Sequence, residues 1–159
     1  MDPEAQLTAL QDAARGLQQA GIAFALIGGL AVGIRTGVPR ATIDIDLAAL
    51  TSASRERVTE ALVNAGFAFR GTFPHSINFL HRSGEPLQVA FDPEFDRMIE
   101  RAEPIELGGV LIPVVSTEDL ISMKQRAARD PGRRRSKSLR DLADVELLRG
   151  DIPEEDEGW

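Results

Sequence analysis

The stretch from Ile22 to Leu50, IAFALIGGLAVGIRTGVPRATIDIDLAAL, constrains the chain more than any other. Six apolar residues form a strand-length run, and Gly28-Gly29 interrupts it at once. The segment LAVGIRTG then predicts a short helix closed by Gly37, which Pro39 prevents from continuing. Residues 42–48 alternate cleanly and predict a second strand carrying Asp44 and Asp46. In a strand, positions i and i+2 share a face, so both carboxylates point one way while Ile43, Ile45 and Leu47 point into the core. The strand rise sets the two acids about 7 Å apart, where they repel each other unless a cation lies between them. A glycine pair at a strand-to-helix junction leaves backbone N–H groups open at a helix N-terminus, which suits phosphate.

The rest of the chain reads as elements around that core. Leu7, Leu10, Ala14 and Leu17 recur at helical spacing, so residues 4–20 read as an amphipathic helix stopped by Gly21. The hydroxyls of Thr51, Ser52 and Ser54 precede a helix with Val58, Ala61, Leu62 and Ala65 on one side, closed by Gly66. FAFRG, INFLHR and PLQVAFD predict three strands, the last two joined by a turn at Ser83-Gly84-Glu85. A short helix over 95–101 follows. Gly108-Gly109 then joins Ile105–Leu107 to Val110–Val115 as a hairpin. Ser116 and Asp119 have capping-box spacing and open a helix through about Arg126; a last helix covers about 137–149, with a turn at Asp130-Pro131-Gly132. The expected architecture is one α+β domain over residues 1–150, a mixed sheet flanked by helices, with an acidic and frayed tail at 151–159.

Charge is segregated along this chain. Its net charge is −7, but residues 151–159 hold five acids, and residues 1–150 carry eighteen basic against twenty acidic side chains. Lys124, Arg126, Arg129, Arg133, Arg134, Arg135, Lys137 and Arg140 form a basic block interrupted only by Asp130. Such a block is a solvated face or a surface for polyanions such as triphosphate or RNA. Sixteen arginines stand against two lysines, Lys124 and Lys137. An ammonium is a compact point charge that arginine replaces poorly, so both lysines are candidates for phosphate. With no cysteine, thiolate metal sites are excluded, and hard oxygen ligands on one strand point to Mg²⁺ or Mn²⁺. His75 and His81 have no acidic partner at metal-ligand spacing, and no nucleophile-elbow motif supports Ser/His/Asp chemistry. The N-terminus does not read as a signal peptide and the longest apolar run is too short to span a bilayer, so the expectation is a cytoplasmic protein without membrane contact.

Gly28, Gly29, Ala31, Gly37, Arg40, Thr42, Asp44 and Asp46 together match GG-small-A followed by G-x-x-R-x-T-x-D-x-D. In this the stretch resembles the polymerase-β-like nucleotidyltransferases, most closely the minimal AbiEii-like toxin group. STEDLISMKQRAARD resembles the group's lysine-bearing helix, with Lys124 at the lysine position, and RDLADVELL, with Asp141 and Asp144, resembles its closing helix. The resemblance implies transfer of a nucleoside monophosphate from an NTP to an acceptor hydroxyl, the acceptor being RNA such as a tRNA end, a protein side chain or a small molecule. It implies that Asp44 and Asp46 hold the metal, that Gly28 and Gly29 cradle the β- and γ-phosphates, and that Lys124 neutralises the triphosphate. Thr42 and Lys137 join the nucleotide-binding set, and Arg40 either meets phosphate or ties the aspartates. An antitoxin protein is the implied partner.

One position departs from that pattern. The strand on which active relatives carry a third carboxylate reads LQVAFD here, with Gln88 at the matching register. A glutamine offers a carbonyl oxygen but accepts no proton. Asp92, Glu85 and Asp141 are the alternatives for a third carboxylate. Failing them, the chain is a catalytically silent nucleotide-binding or regulatory module, or an α+β interaction protein without a ligand.

Overall fold

The structure is a computed structural model describing residues 2–38 and 44–150. Helix α1 (Pro3–Gln19) starts at Asp2, whose carboxylate accepts the Glu4 N–H, and turns Leu10, Ala13, Ala14 and Leu17 inward. Strand β1 (Phe24–Ile27) runs straight into helix α2 (Gly28–Thr36), and strand β2 (Ile45–Ala49) follows. Helix α3 (Arg55–Asn64) is capped by the Ser54 hydroxyl. A meander of β3 (Phe67–Phe73), β4 (Ser76–His81) and β5 (Pro86–Ala90) leads into α4 (Pro93–Arg101). The hairpin β6 (Glu103–Leu107) and β7 (Val110–Val114) precedes α5 (Thr117–Arg129), capped by Ser116, and α6 (Arg135–Leu148).

The seven strands form one mixed sheet in the order β3-β4-β5-β2-β1-β7-β6. Strand β2 lies antiparallel to β1 and parallel to β5, and β1 lies parallel to β7. β1 is wholly buried, which is why it reads as an apolar run; β2 is buried apart from Asp46, the one polar residue it carries. Leu26, Leu47, Val89 and Ile112 from the sheet join Leu17, Leu62 and Leu120 from the helices in one core. Helices α1 and α3 pack on each other, while α2 touches α5 and α6, which themselves form a hairpin. The turn of that hairpin is held by the Asp130 carboxylate, which accepts the Gly132 N–H. No described helix is long and apolar enough to cross a membrane.

Two details differ from the sequence reading. The second strand begins at Ile45, so Asp44 precedes it, and residues 42 and 43 lie outside the described residues. Its pairing with β1 ends at Ile27↔Asp46, because beyond Ile27 the partner chain has turned into α2 and offers no further ladder. That helix starts at Gly28 itself rather than after the glycine pair. His81, read as a strand residue rather than a metal ligand, is buried at the end of β4 with its Nε2 2.8 Å from Asp12 Oδ2. Its Nδ1 accepts the Ser83 N–H at 3.3 Å, which leaves Nε2 as the donor to Asp12. The pair ties α1 to β4 across 69 positions of sequence, a separation no local pattern encodes.

Candidate active site

Asp46 occupies the middle of the sheet. Ile27 of β1 is its partner on one side and Gln88 of β5 on the other; Asn78 of β4 pairs with Gln88, and Gly71 of β3 with Asn78. Residues directly opposite one another in neighbouring strands share a face, so Asp46, Gln88 and Asn78 form a polar row across three strands. The opposite face of the same strands carries Leu26, Leu47, Val89 and Ile77, all buried.

Gly28 is glycine for two separate reasons. Its φ of +75° is a conformation side chains rarely adopt, and a Cβ there would lie 2.5 Å from Asp46 Oδ2. The first turn of α2 therefore begins against the Asp46 carboxylate, with no side-chain cap on its N–H groups. Gly28→Ala is expected to cost about 2–4 kcal/mol of stability and to displace Asp46. The check is a urea titration beside an assay of nucleotide binding. An unaltered midpoint with unaltered binding would show that the contact is slack.

The electrostatics centre on Asp46 and Lys124. Burial, and then the charge of Asp44, push the Asp46 carboxyl up to about 6, while the Lys124 ammonium pulls it down. Asp44 is exposed just ahead of β2. Lys124 reaches across from α5, with Nζ 3.3 Å from Asp141 Oδ1 and 3.2 Å from Asp144 Oδ2. Both acids lie one turn apart on α6 and are only 2% exposed. Arg133 meets Asp141 from the other side, its Nε donating to Oδ2 at 2.6 Å. Among the described residues, one ammonium and one guanidinium stand against these two buried carboxylates.

The candidates for a third carboxylate separate clearly. Gln88 lies beside Asp46 in register. Asp92 has left the strand to cap α4, accepting the Glu94 N–H at 3.0 Å. Glu85 sits in the β4–β5 turn. Asp141 is committed to Lys124 and Arg133. Among the described residues, no three His, Cys, Asp or Glu side chains converge as a metal site. Lys137 is exposed on the first turn of α6, Gly29 is in the first turn of α2, and Arg40 and Thr42 lie outside the described residues. Arg133 escaped the sequence reading because it is one of several consecutive basic residues, and nothing local marks which of them turns inward.

The sheet and its helices are those of the nucleotidyltransferases. The antibiotic-resistance factor ANT(2'')-Ia aligns with a TM-score of 0.65 at 18% identity, over 94% of this chain and 92% of that one. The lincosamide antibiotic adenylyltransferase LnuA aligns with a TM-score of 0.59 at 16% identity, over 86% and 91%. An antigenic nucleotidyltransferase-like protein from Paracoccidioides brasiliensis gives 0.64 at 20% identity, over 95% and 79%. No curated protein matches the sequence significantly. The family profile described as nucleotidyl transferase AbiEii toxin, type IV toxin–antitoxin system, matches residues 10–157. The chain belongs to that family.

Proposed function

We propose that the protein transfers a nucleoside monophosphate from an NTP to an acceptor hydroxyl, in a cleft bounded by α2, Asp44, Asp46 and Lys124. The observation that carries this reading is the seating of Asp46 against Gly28 at the uncapped start of α2, with Lys124 near enough to shift its carboxyl. The open N–H groups of α2 and the Lys124 ammonium bind the triphosphate. Asp44 and Asp46 are oxygen donors whose mutual repulsion a divalent cation relieves, so they fit Mg²⁺ or Mn²⁺; two carboxylates plus substrate phosphates suffice for Mg²⁺. When bound, that ion supplies charge neutralisation at the reacting phosphate. The acceptor oxygen bonds to the α-phosphorus as the bond to the bridging α,β-oxygen breaks, and pyrophosphate leaves with the electron pair. The hydroxyl proton passes to water, since Gln88 has no basic atom. The exposed arginines and Lys137 around the α5–α6 turn suit an RNA acceptor, and the family supports a role as the toxin beside an antitoxin.

The test is label transfer from each α-labelled NTP with Mg²⁺ or Mn²⁺, to total tRNA, to the protein itself or to neither. The Asp44→Asn/Asp46→Asn double variant serves as the blank. Label that depends on both aspartates supports the reading; equal label in wild type and blank overturns it. Gln88 favours a second reading, a silent module that binds nucleotide without transfer. Gln88→Asp discriminates the two. A silent site gains transfer on receiving the carboxylate, whereas a working site changes by less than about threefold.

A further inference from the structure

Away from the carboxylate row, a groove of about 560 Å³ lies between α4 and α5. Its floor is apolar: Phe95 and Met123 pack against the core yet stay only half-buried, and Ala127 joins them. The Asp92 cap fixes the start of α4, and with it the place of Phe95, while an Arg126–Glu94 ion pair ties the two helices at the groove. Arg129 stands on the same rim, exposed and without an ion pair among the described residues. Asp130, the remaining acid there, is taken up in the turn by the Gly132 N–H. Arg134 and Arg135 follow at the start of α6, both exposed. An apolar floor under a rim of cations fits an aromatic side chain carried on an acidic segment.

The chain contains one such segment. The nine residues after Gly150, DIPEEDEGW, lie outside the described residues and carry five acids and Trp159, the one tryptophan of the sequence. Their reach suffices. Helix α6 returns antiparallel along α5, with Lys124 beside Asp141 and Asp144, so Leu148 stands beside the first turns of α5. The groove is then about 10–15 Å away along the helix axis and about 10 Å, one helix diameter, across. Nine extended residues span about 30 Å.

We propose that residues 151–159 dock in this groove of their own chain, with the Trp159 indole on Phe95 and Met123 and the acids against Arg129, Arg134 and Arg135. The indole covers apolar surface that the described residues leave open, and the acids answer arginines that none of those residues pairs. Docking requires neither nucleotide nor metal.

Trp159 is its own probe. Acrylamide quenching of its fluorescence is measured in the full chain and in the free peptide DIPEEDEGW. The full chain is expected to be quenched about threefold less than the peptide, with emission shifted to the blue. Arg129→Glu, at an exposed position that leaves the fold intact, and Phe95→Ala are each expected to return quenching most of the way to the peptide value. Protection that survives about fiftyfold dilution marks docking within one chain. Quenching equal to that of the peptide overturns the proposal. Protection lost on dilution overturns it too, because the tail then sits on a second copy. Protection that both variants leave unchanged overturns the groove as its seat.

Discussion

Asp46→Asn is expected to abolish the proposed nucleotidyl transfer, by at least about a thousandfold, while raising the melting temperature of the metal-free protein at pH 8. The opposite signs share one cause. Asp46 is held in the sheet by Ile27 and Gln88 and pressed against Gly28, where burial and Asp44 disfavour its charge. Its carboxyl titrates at about 6 in the fold against 3.8 in the free chain, so the folded state binds the proton more tightly. Stability therefore falls as pH rises from about 4 through 6, and the full penalty applies above that window. The neutral amide removes it, for a gain of about 2 kcal/mol at pH 8, or several degrees, and no gain below pH 4. Adding Mg²⁺ with NTP reverses the order, stabilising wild type more than the variant. In the same window metal competes with the proton, so apparent Mg²⁺ affinity drops steeply below about pH 6. Thermal melts at pH 4 and 8, with and without Mg²⁺-NTP, read all of this. A variant that is no more stable than wild type at pH 8 would remove the strain argument.

Lys124→Met is expected to destabilise the protein and to silence the proposed transfer together. The ammonium stands between Asp141 and Asp144, both buried, and Asp46. Asp141 retains Arg133, but both buried carboxylates lose the ammonium that stands against them. Removing one partner of a buried pair costs about 3–5 kcal/mol, close to 10 °C in melting temperature for a chain this long. Adding Asp144→Asn removes the excess negative charge and is expected to restore much of the stability. It is not expected to restore transfer, because the ammonium assigned to the triphosphate is still missing. Recovery of both in the double variant would assign Lys124 a purely structural role. Lys124→Arg is expected to fold and to transfer poorly, since a guanidinium fork does not fit a place shaped for a point charge.

The local half of this site was legible in the chain. The strand-to-helix break at Gly28, the helix ends at Ser54, Gly66 and Ser116, and the hairpin at Gly108-Gly109 follow from backbone geometry and capping that each residue carries with it. The partnership of Gly28 with Asp46 was also readable, because the two lie close together in the sequence. The register that puts Gln88 beside Asp46 followed from alternation and likeness to the family. The match of the AbiEii profile over residues 10–157 agrees with that likeness.

The rest depends on contacts between residues far apart in sequence. Asp92 reads as a strand carboxylate, yet Pro93 starts a helix and turns it into a cap. Asp141 reads as one alternative for a third carboxylate on a closing helix, and the structure encloses it between Arg133 and Lys124. The partner of His81 is not legible locally, because Asp12 is 69 residues away. The register slip between Phe69 and Gly71 of β3 leaves no mark beyond a glycine, since a bulge is a property of two paired strands. The sequence alone determined which segments form elements and where backbone freedom and charge lie, because those follow from the conformational limits of neighbouring residues. Only the tertiary structure decided which charges meet and which are buried, because long-range pairing and burial set the local dielectric and the partners in reach.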